Sequence, residues 1–236
     1  MLQVCLNGSR HREQHPGLPV SPAELAAAAR AAVEAGAEDI HLHPKDRKGA
    51  DTLDPAIVAE TVTAVRAAIP GIPVGVTTGA WIAADPEERA ALVRSWTVVP
   101  DHASVNWHED GADLVAGALR DKDVGIEAGI FSGTDAATRF RSSPFADQVV
   151  RVLAEVTDRA PRTAPATAEG LLRDLGDGLS APVLLHGSDG GAWPVLRMAL
   201  GLGLDVRIGL EDVLHTPYGT PAADNATLVR AALALR

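Results

Sequence analysis

Short apolar runs rich in valine, isoleucine and leucine recur along the chain and alternate with longer alanine-rich stretches, the pattern of repeated βα units around a parallel sheet. Eight runs read as strands: VCLNGS 4–9, DIHLHP 39–44, IPVGVTTG 72–79, HASVNW 102–107, DVGIEAGIF 123–131, RVLAEVT 151–157, PVLLHGS 182–188 and DVRIGLE 205–211. The stretches between them open on helix caps: Ser21 with Pro22 and Glu24, Asp54 with Pro55, and Asp85 with Pro86, Glu87 and Glu88. A last helix is expected in DNATLVRAALAL, and the Pro-rich DRAPRTAPATAEG is expected as the loop between strand six and its helix. Neither a repeat nor a linker interrupts the series. Eight βα units predict an α/β fold, a TIM (β/α)8 barrel forming a single domain over residues 1–236, with its active site at the carboxyl ends of the strands.

Alternation along each strand sorts residues onto two faces. One parity is mostly Val, Ile, Leu and Ala. The other collects Asn7 and Ser9; His41 and His43; Gly75, Thr77 and Gly79; Ser104, Asn106 and His108; Gly125, Glu127 and Gly129; Glu155 and Thr157; His186 and Ser188; Arg207, Gly209 and Glu211. In a barrel the apolar set faces the helices and the polar set lines the upper interior. A purely structural interior would be filled with branched apolar side chains, so this lining points to function.

Composition narrows the partners. With 46% hydrophobic residues the chain supports a full core, but aromatics are only 3%, so packing rests on Ala, Val and Leu. A formal charge of −10 argues against nucleic acid or an anionic membrane surface as partner and reads as a contribution to solubility, not recognition. MLQVCLNGSR has no basic segment ahead of an apolar one, and no run reaches the length of a membrane span. A single cysteine, Cys5, allows no internal disulfide and fits a reducing compartment. The expectation is a cytoplasmic protein in which Cys5 packs and does no chemistry.

His41 and His43, one residue apart on the inward face, are two potential zinc ligands, and a carboxylate facing the same axial space would complete the set while leaving a coordination position open. Glu127, Glu155 and Glu211 all have the required parity. Glu211 lies on a strand next to strand one, which adjoins the histidine strand, but parity excludes none of the three. The alternative for each carboxylate is an ion pair, with Arg207 the obvious partner. His108 is expected to be a hydrogen-bonded structural residue. His186, followed by Gly187, Ser188 and a Gly-Gly pair at a helix start, is a candidate for substrate binding.

AGAEDIHLHPKD, VTTG, GIEAGIF, VRIGLED and DNATLVRAA follow one another in the order and spacing of the β-keto acid cleavage enzymes. The resemblance covers nearly the whole chain, and its specificity lies in combining the His-x-His strand with RIGLED. It implies a TIM barrel with a divalent metal, usually zinc, that converts a β-keto acid and acetyl-CoA into acetoacetate and a new acyl-CoA, in a homotetramer or homodimer. By that resemblance His41, His43 and Glu211 are the metal ligands and Arg207 holds the substrate carboxylate. Thr77 stands at a hydroxyl position in the turn after strand three, and Asp212 is the aspartate that follows the metal-binding glutamate and could move a proton. Thr78, Asn106, Glu127 and His186 complete the substrate-binding set. Two positions depart from the family pattern: Ser9 stands where longer members carry glutamate, and Lys45 where arginine is usual. Competing expectations are a metal-dependent hydrolase or lyase acting on a keto acid without CoA, and a non-catalytic metabolite-binding barrel. An amidohydrolase is disfavoured because strands five and six offer Glu127 and Glu155 where that class needs histidines.

Overall fold

The computed structural model describes residues 1–236 as a closed barrel of eight parallel strands in chain order. The strands are β1 (Leu2–Cys5), β2 (Asp39–Leu42), β3 (Val74–Thr77), β4 (His102–Asn106), β5 (Gly125–Phe131), β6 (Arg151–Val156), β7 (Val183–Gly187) and β8 (Asp205–Ile208). Each is followed by a helix: α1 (Pro22–Glu34), α2 (Pro55–Ala68), α3 (Pro86–Arg94), α4 (Ala112–Arg120), α5 (Ala136–Arg141), α6 (Ala164–Leu175), α7 (Ala192–Gly201) and α8 (Asn225–Leu233). No helix is long and apolar enough to cross a membrane.

The helix starts follow from local chemistry. Ser21 Oγ accepts from Glu24 N while a Glu24 carboxylate oxygen accepts from Ser21 N, a reciprocal box that satisfies two orphan donors at the head of α1. Asp54, Asp85 and Asp224 accept from the first-turn amides of α2, α3 and α8 in the same way. Helix α6 begins at Ala164 with Pro165 in its first turn, so half of the segment expected as a loop is helical. Proline is tolerated there because that amide has no partner in any helix.

Closure puts the two parities where the alternation predicts. Val4, Ile40, Leu42, Val76, Ala103 and Ile126 are fully excluded from solvent within a 57-residue apolar cluster. The interior is polar down to its floor, where Asp39, His102 and Arg151, each the first residue of its strand, meet Gln3 and Glu127. His102 Nε2 and Nδ1 lie 3.1 Å from Asp39 and 3.1 Å from Glu127. Arg151 bridges the same two carboxylates at 3.2 and 2.5 Å, and Gln3 Nε2 donates to both. The four charges are mutually neutralised once His102 is protonated.

Every strand is shorter than expected, β2 ending at Leu42 just before His43, and two of the shortened ends reshape the mouth. Strand β1 ends at Cys5 and β8 at Ile208, so Asn7 to Ser9 and Gly209 to Glu211 are turns. At Gly209 a Cβ would lie 1.9 Å from Cys5 O, so only glycine lets β8 turn against β1 here. The turn changes a geometric consequence of the strand reading: an extended strand would separate Arg207 and Glu211 by four residues of rise, whereas here their side chains touch.

Candidate metal and substrate site

The turn after β8 carries Glu211 back over the barrel axis, where it meets the histidines of β2. Glu211 Oε2 lies 3.9 Å from His41 Nε2 and 3.7 Å from His43 Nε2, is buried, and makes no hydrogen bond. Of the three carboxylates open to the ligand role, Glu211 alone is brought to both imidazoles. Glu127 lies below, 3.9 Å from His41 Nδ1 and bound into the floor; Glu155 stands across the mouth, 3.7 Å from His186 Nε2.

Two imidazoles and an orphaned carboxylate oxygen form a donor set suited to a divalent metal. Burial, reinforced by Arg207 and His43, lowers His41 to about 3 and keeps it the neutral form a metal requires. Burial alone would raise Glu211, but the Arg207 guanidinium outweighs it and keeps this carboxyl ionised. Arg207 Nη2 donates to Glu211 Oε1 at 2.6 Å, which leaves Oε2 directed at the histidines.

Groups behind His43 hold it in place, whereas His41 Nδ1 is buried without a hydrogen bond. His43 Nδ1 is 3.0 Å from Asp51 Oδ2, which also accepts from Trp81 Nε1 at 2.8 Å, and the Trp81 indole stacks on His43 with ring centroids 5.8 Å apart. Asp51 Oδ1 is 2.5 Å from Lys45 Nζ, whose other bonds go to the carbonyls of Gly8 and Arg10. Burial opposes ionisation of Asp51, and hydrogen bonds from His43 and Lys45 outweigh it. Asp51 and Trp81 have no periodic signal in the sequence, because both reach the site from loops. Asp39 and His102 were within reach of the alternation argument: they share parity with His41 and Ser104.

Beside Glu211, Asp212 Oδ1 accepts from Arg207 Nε at 3.1 Å and Nη2 at 3.0 Å, while its Oδ2 is buried without a partner. Burial, with Glu211 adjacent, pushes Asp212 up to about 6 against the pull of Arg207. The ion pairs of Arg207 are therefore with Glu211 and Asp212, not with Glu127 or Glu155, and they leave its Nη1 free for another anion. Burial drives Glu155 up to about 7. His186 lies between Glu155 and Asp212, 3.7 and 3.8 Å from them, and burial drives its pKa well down.

A cavity of about 200 Å³ opens above the histidines and is lined in part by Thr77, Asn106, Glu155, Arg207 and Glu211. Thr78 does not reach it: its hydroxyl donates to Ser104 O at 2.7 Å. Glu127 is fully buried beneath His41 and does not line it either. The His108 ring packs on Phe131, with centroids 4.4 Å apart, and its Nδ1 has no hydrogen bond, contrary to the expectation of a hydrogen-bonded residue. Arg10, Arg159 and Asp189, which no motif singled out, line a second cavity continuous with the first through Ser9, Glu155, Arg207 and Glu211.

Comparison with known proteins bears on this arrangement. A family model described as beta-keto acid cleavage enzyme matches residues 1–235. The 3-keto-5-aminohexanoate cleavage enzyme of Acetoanaerobium sticklandii is 24% identical over 234 residues, with 92% of this chain and 84% of that protein covered. Among solved structures, the ternary complex of ObcA with a C4-CoA adduct and oxalate aligns with a TM-score of 0.69 at 17% identity, covering 91% of this chain and 62% of that one. The type I 3-dehydroquinate dehydratase of Clostridium difficile aligns with a TM-score of 0.66 at 13% identity, covering 99% and 90%. The chain thus spans less than two thirds of ObcA, and at these identities the two structures speak to the barrel alone.

Proposed function

The chain belongs to the beta-keto acid cleavage enzyme family, and from that premise we propose that it is a zinc-dependent enzyme, a single (β/α)8 domain, that transfers the acyl group of a β-keto acid to CoA with acetyl-CoA as co-substrate. The observation that carries this reading is the convergence of His41, His43 and the orphaned Glu211 Oε2 beside Arg207 and Asp212. The ObcA structure, which holds a CoA adduct on a similar barrel, supports a CoA partner.

A divalent metal on His41, His43 and Glu211 would supply Lewis acidity, polarising the ketone of a β-keto acid. The remaining work falls to side chains. Arg207 Nη1 binds the acid's carboxylate, for which a guanidinium fork is suited. Asp212 Oδ2, free of protein partners, takes a proton from the carbon between ketone and carboxylate. That carbon forms a bond to the acetyl carbonyl of acetyl-CoA and expels the thiolate, which then attacks the ketone carbon. The bond between the former α-carbon and that ketone carbon breaks, giving acetoacetate and the new acyl-CoA; the proton held by Asp212 returns to the acetoacetate carbon. Thr77, buried at the cavity wall, orients the acid, with Asn106 as a further polar contact; His186, buried between Glu155 and Asp212, does not line the cavity.

The test is metal analysis of purified protein combined with acetoacetate release from β-keto acids, with and without acetyl-CoA. Glu211→Gln should lose bound zinc and turnover together while keeping its far-UV circular dichroism. Turnover without acetyl-CoA would favour the hydrolase or lyase alternative. Stoichiometric metal and full activity in the variant would remove Glu211 from the ligand set.

A further inference from the structure

The second cavity, of about 320 Å³, has no hydrophobic lining residue. It begins at the metal-ligand cluster and ends at Asp189, whose carboxylate is held between two guanidiniums: Arg10 Nη2 at 2.8 Å and Arg159 Nε at 3.3 Å. Arg10 is fixed from two sides, its Nε donating to Glu211 O at 3.0 Å and its carbonyl accepting from Lys45 Nζ, and its Nη1 has no protein partner. Asp189 is tied to the same region by a 2.7 Å bond from its amide to Asp212 O, with its backbone at φ 49°. One cationic pair therefore sits a single residue's reach from Glu211, and the anion it holds is a side chain on a turn.

We propose that this cavity receives the far end of the acid, and that the substrates are short β-keto acids bearing a second carboxylate, which Arg10 and Arg159 bind in place of Asp189. The inference rests on the β-keto acid reading and names the substrate class for that same site. Charge favours it. Arg10 and Arg159 both pair with one carboxylate, Asp189, so its displacement leaves two guanidiniums for an incoming carboxylate. Glu155, raised to about 7 by burial, gives up part of its charge near neutrality. An acid bearing an ammonium group finds no free carboxylate on Asp189, because both of its oxygens are engaged by arginine. A methyl-ended acid would strand the polar wall without a partner. Length agrees as well: Arg10 bonds to the backbone of Glu211 itself, so a chain of a few carbons spans the two ends.

The experiment compares kcat/KM for three six-carbon 3-oxo acids: one ending in a second carboxylate, one ending in methyl, and one carrying a 5-amino group. The dicarboxylate should lead by about ten- to a hundredfold, the equivalent of one charge-assisted hydrogen-bonded contact. Arg159→Gln, at an exposed position that folding tolerates, and Arg10→Gln should each shrink that lead. Preference for either other acid, or a lead that both variants leave unchanged, overturns the proposal. In parallel, calorimetry on the zinc-loaded protein compares hexanedioate with hexanoate, neither of which can be cleaved. Tighter hexanedioate binding that Arg159→Gln weakens supports the pocket even if no acid is turned over, an outcome that would sink the cleavage reading alone; equal binding of the two overturns the pocket.

Discussion

Asp51 touches neither the proposed metal position nor the substrate cavity, yet it sets the ring of His43, because its Oδ2 takes the Nδ1 side of the imidazole and leaves Nε2 facing Glu211. A carboxylate behind a ligand histidine fixes the tautomer and raises the basicity of the other nitrogen. Asp51→Asn should therefore weaken metal binding by about ten- to a hundredfold, read by competition with a chromophoric chelator, while near-UV circular dichroism stays that of the native protein. Undiminished affinity in that variant would mean that Trp81 stacking and the backbone orient His43 without help. Arg207 shows the same economy of placement: one guanidinium binds Glu211 through one carboxylate oxygen and Asp212 through another, leaving the second oxygen of each buried without a hydrogen bond.

Among the elements, the segment after β1 does the most to shape the mouth. Gly8 adopts φ +58°, and a Cβ there would lie 2.3 Å from Glu211 Cγ, so backbone conformation and space both demand glycine. Gly8→Ala should cost about 1–3 kcal/mol in backbone strain and also push Glu211 off the histidines, so that metal affinity falls. Gly71→Ala separates the two effects, since Gly71 has φ +84° with nothing within 4 Å of the added methyl. Chemical denaturation and metal titration of both variants should show comparable losses of stability but lost metal binding only at Gly8. Equal metal affinity in the two would remove the steric role assigned to Gly8. Lys45 closes the same loop from the other side, with its ammonium buried against the Gly8 and Arg10 carbonyls and Asp51.

For the molecule as a whole, the barrel floor ties five strands together through Gln3, Asp39, His102, Glu127 and Arg151. Burial alone would lower His102, but Glu127 and Asp39 outweigh it and raise the imidazole to about 10 from an ordinary 6.5. A histidine raised in the folded state contributes stability that is fully present below about pH 6.5 and drains away as pH climbs through about 10. The unfolding free energy should accordingly decline between pH 7 and 10. His102→Gln should flatten that decline and cost about 3–5 kcal/mol near neutrality, the usual loss when a buried charge pair is broken from one side. Urea titrations across this range would check it, and an unchanged slope in the variant would show that some other group titrates there.

How much of this was legible in one dimension depends on whether a property repeats. Strand period and helix caps are local, and the eight βα units, the barrel they imply and the inward parity of His41, His43 and Arg207 followed from them. Parity could not choose among Glu127, Glu155 and Glu211, since all three point inward and only closure of the sheet says which meets the histidines. Nor could it show that β8 ends at Ile208. That turn depends on the close approach of Gly209 to Cys5, a contact between residues two hundred positions apart, and it is what lets Arg207 and Glu211 touch. Asp51, Trp81, Arg10, Arg159 and Asp189 lie on loops, where no periodicity constrains direction. Their meeting at the mouth was decided by tertiary structure alone, because a charge finds its partner through space and leaves no mark on the spacing of the chain.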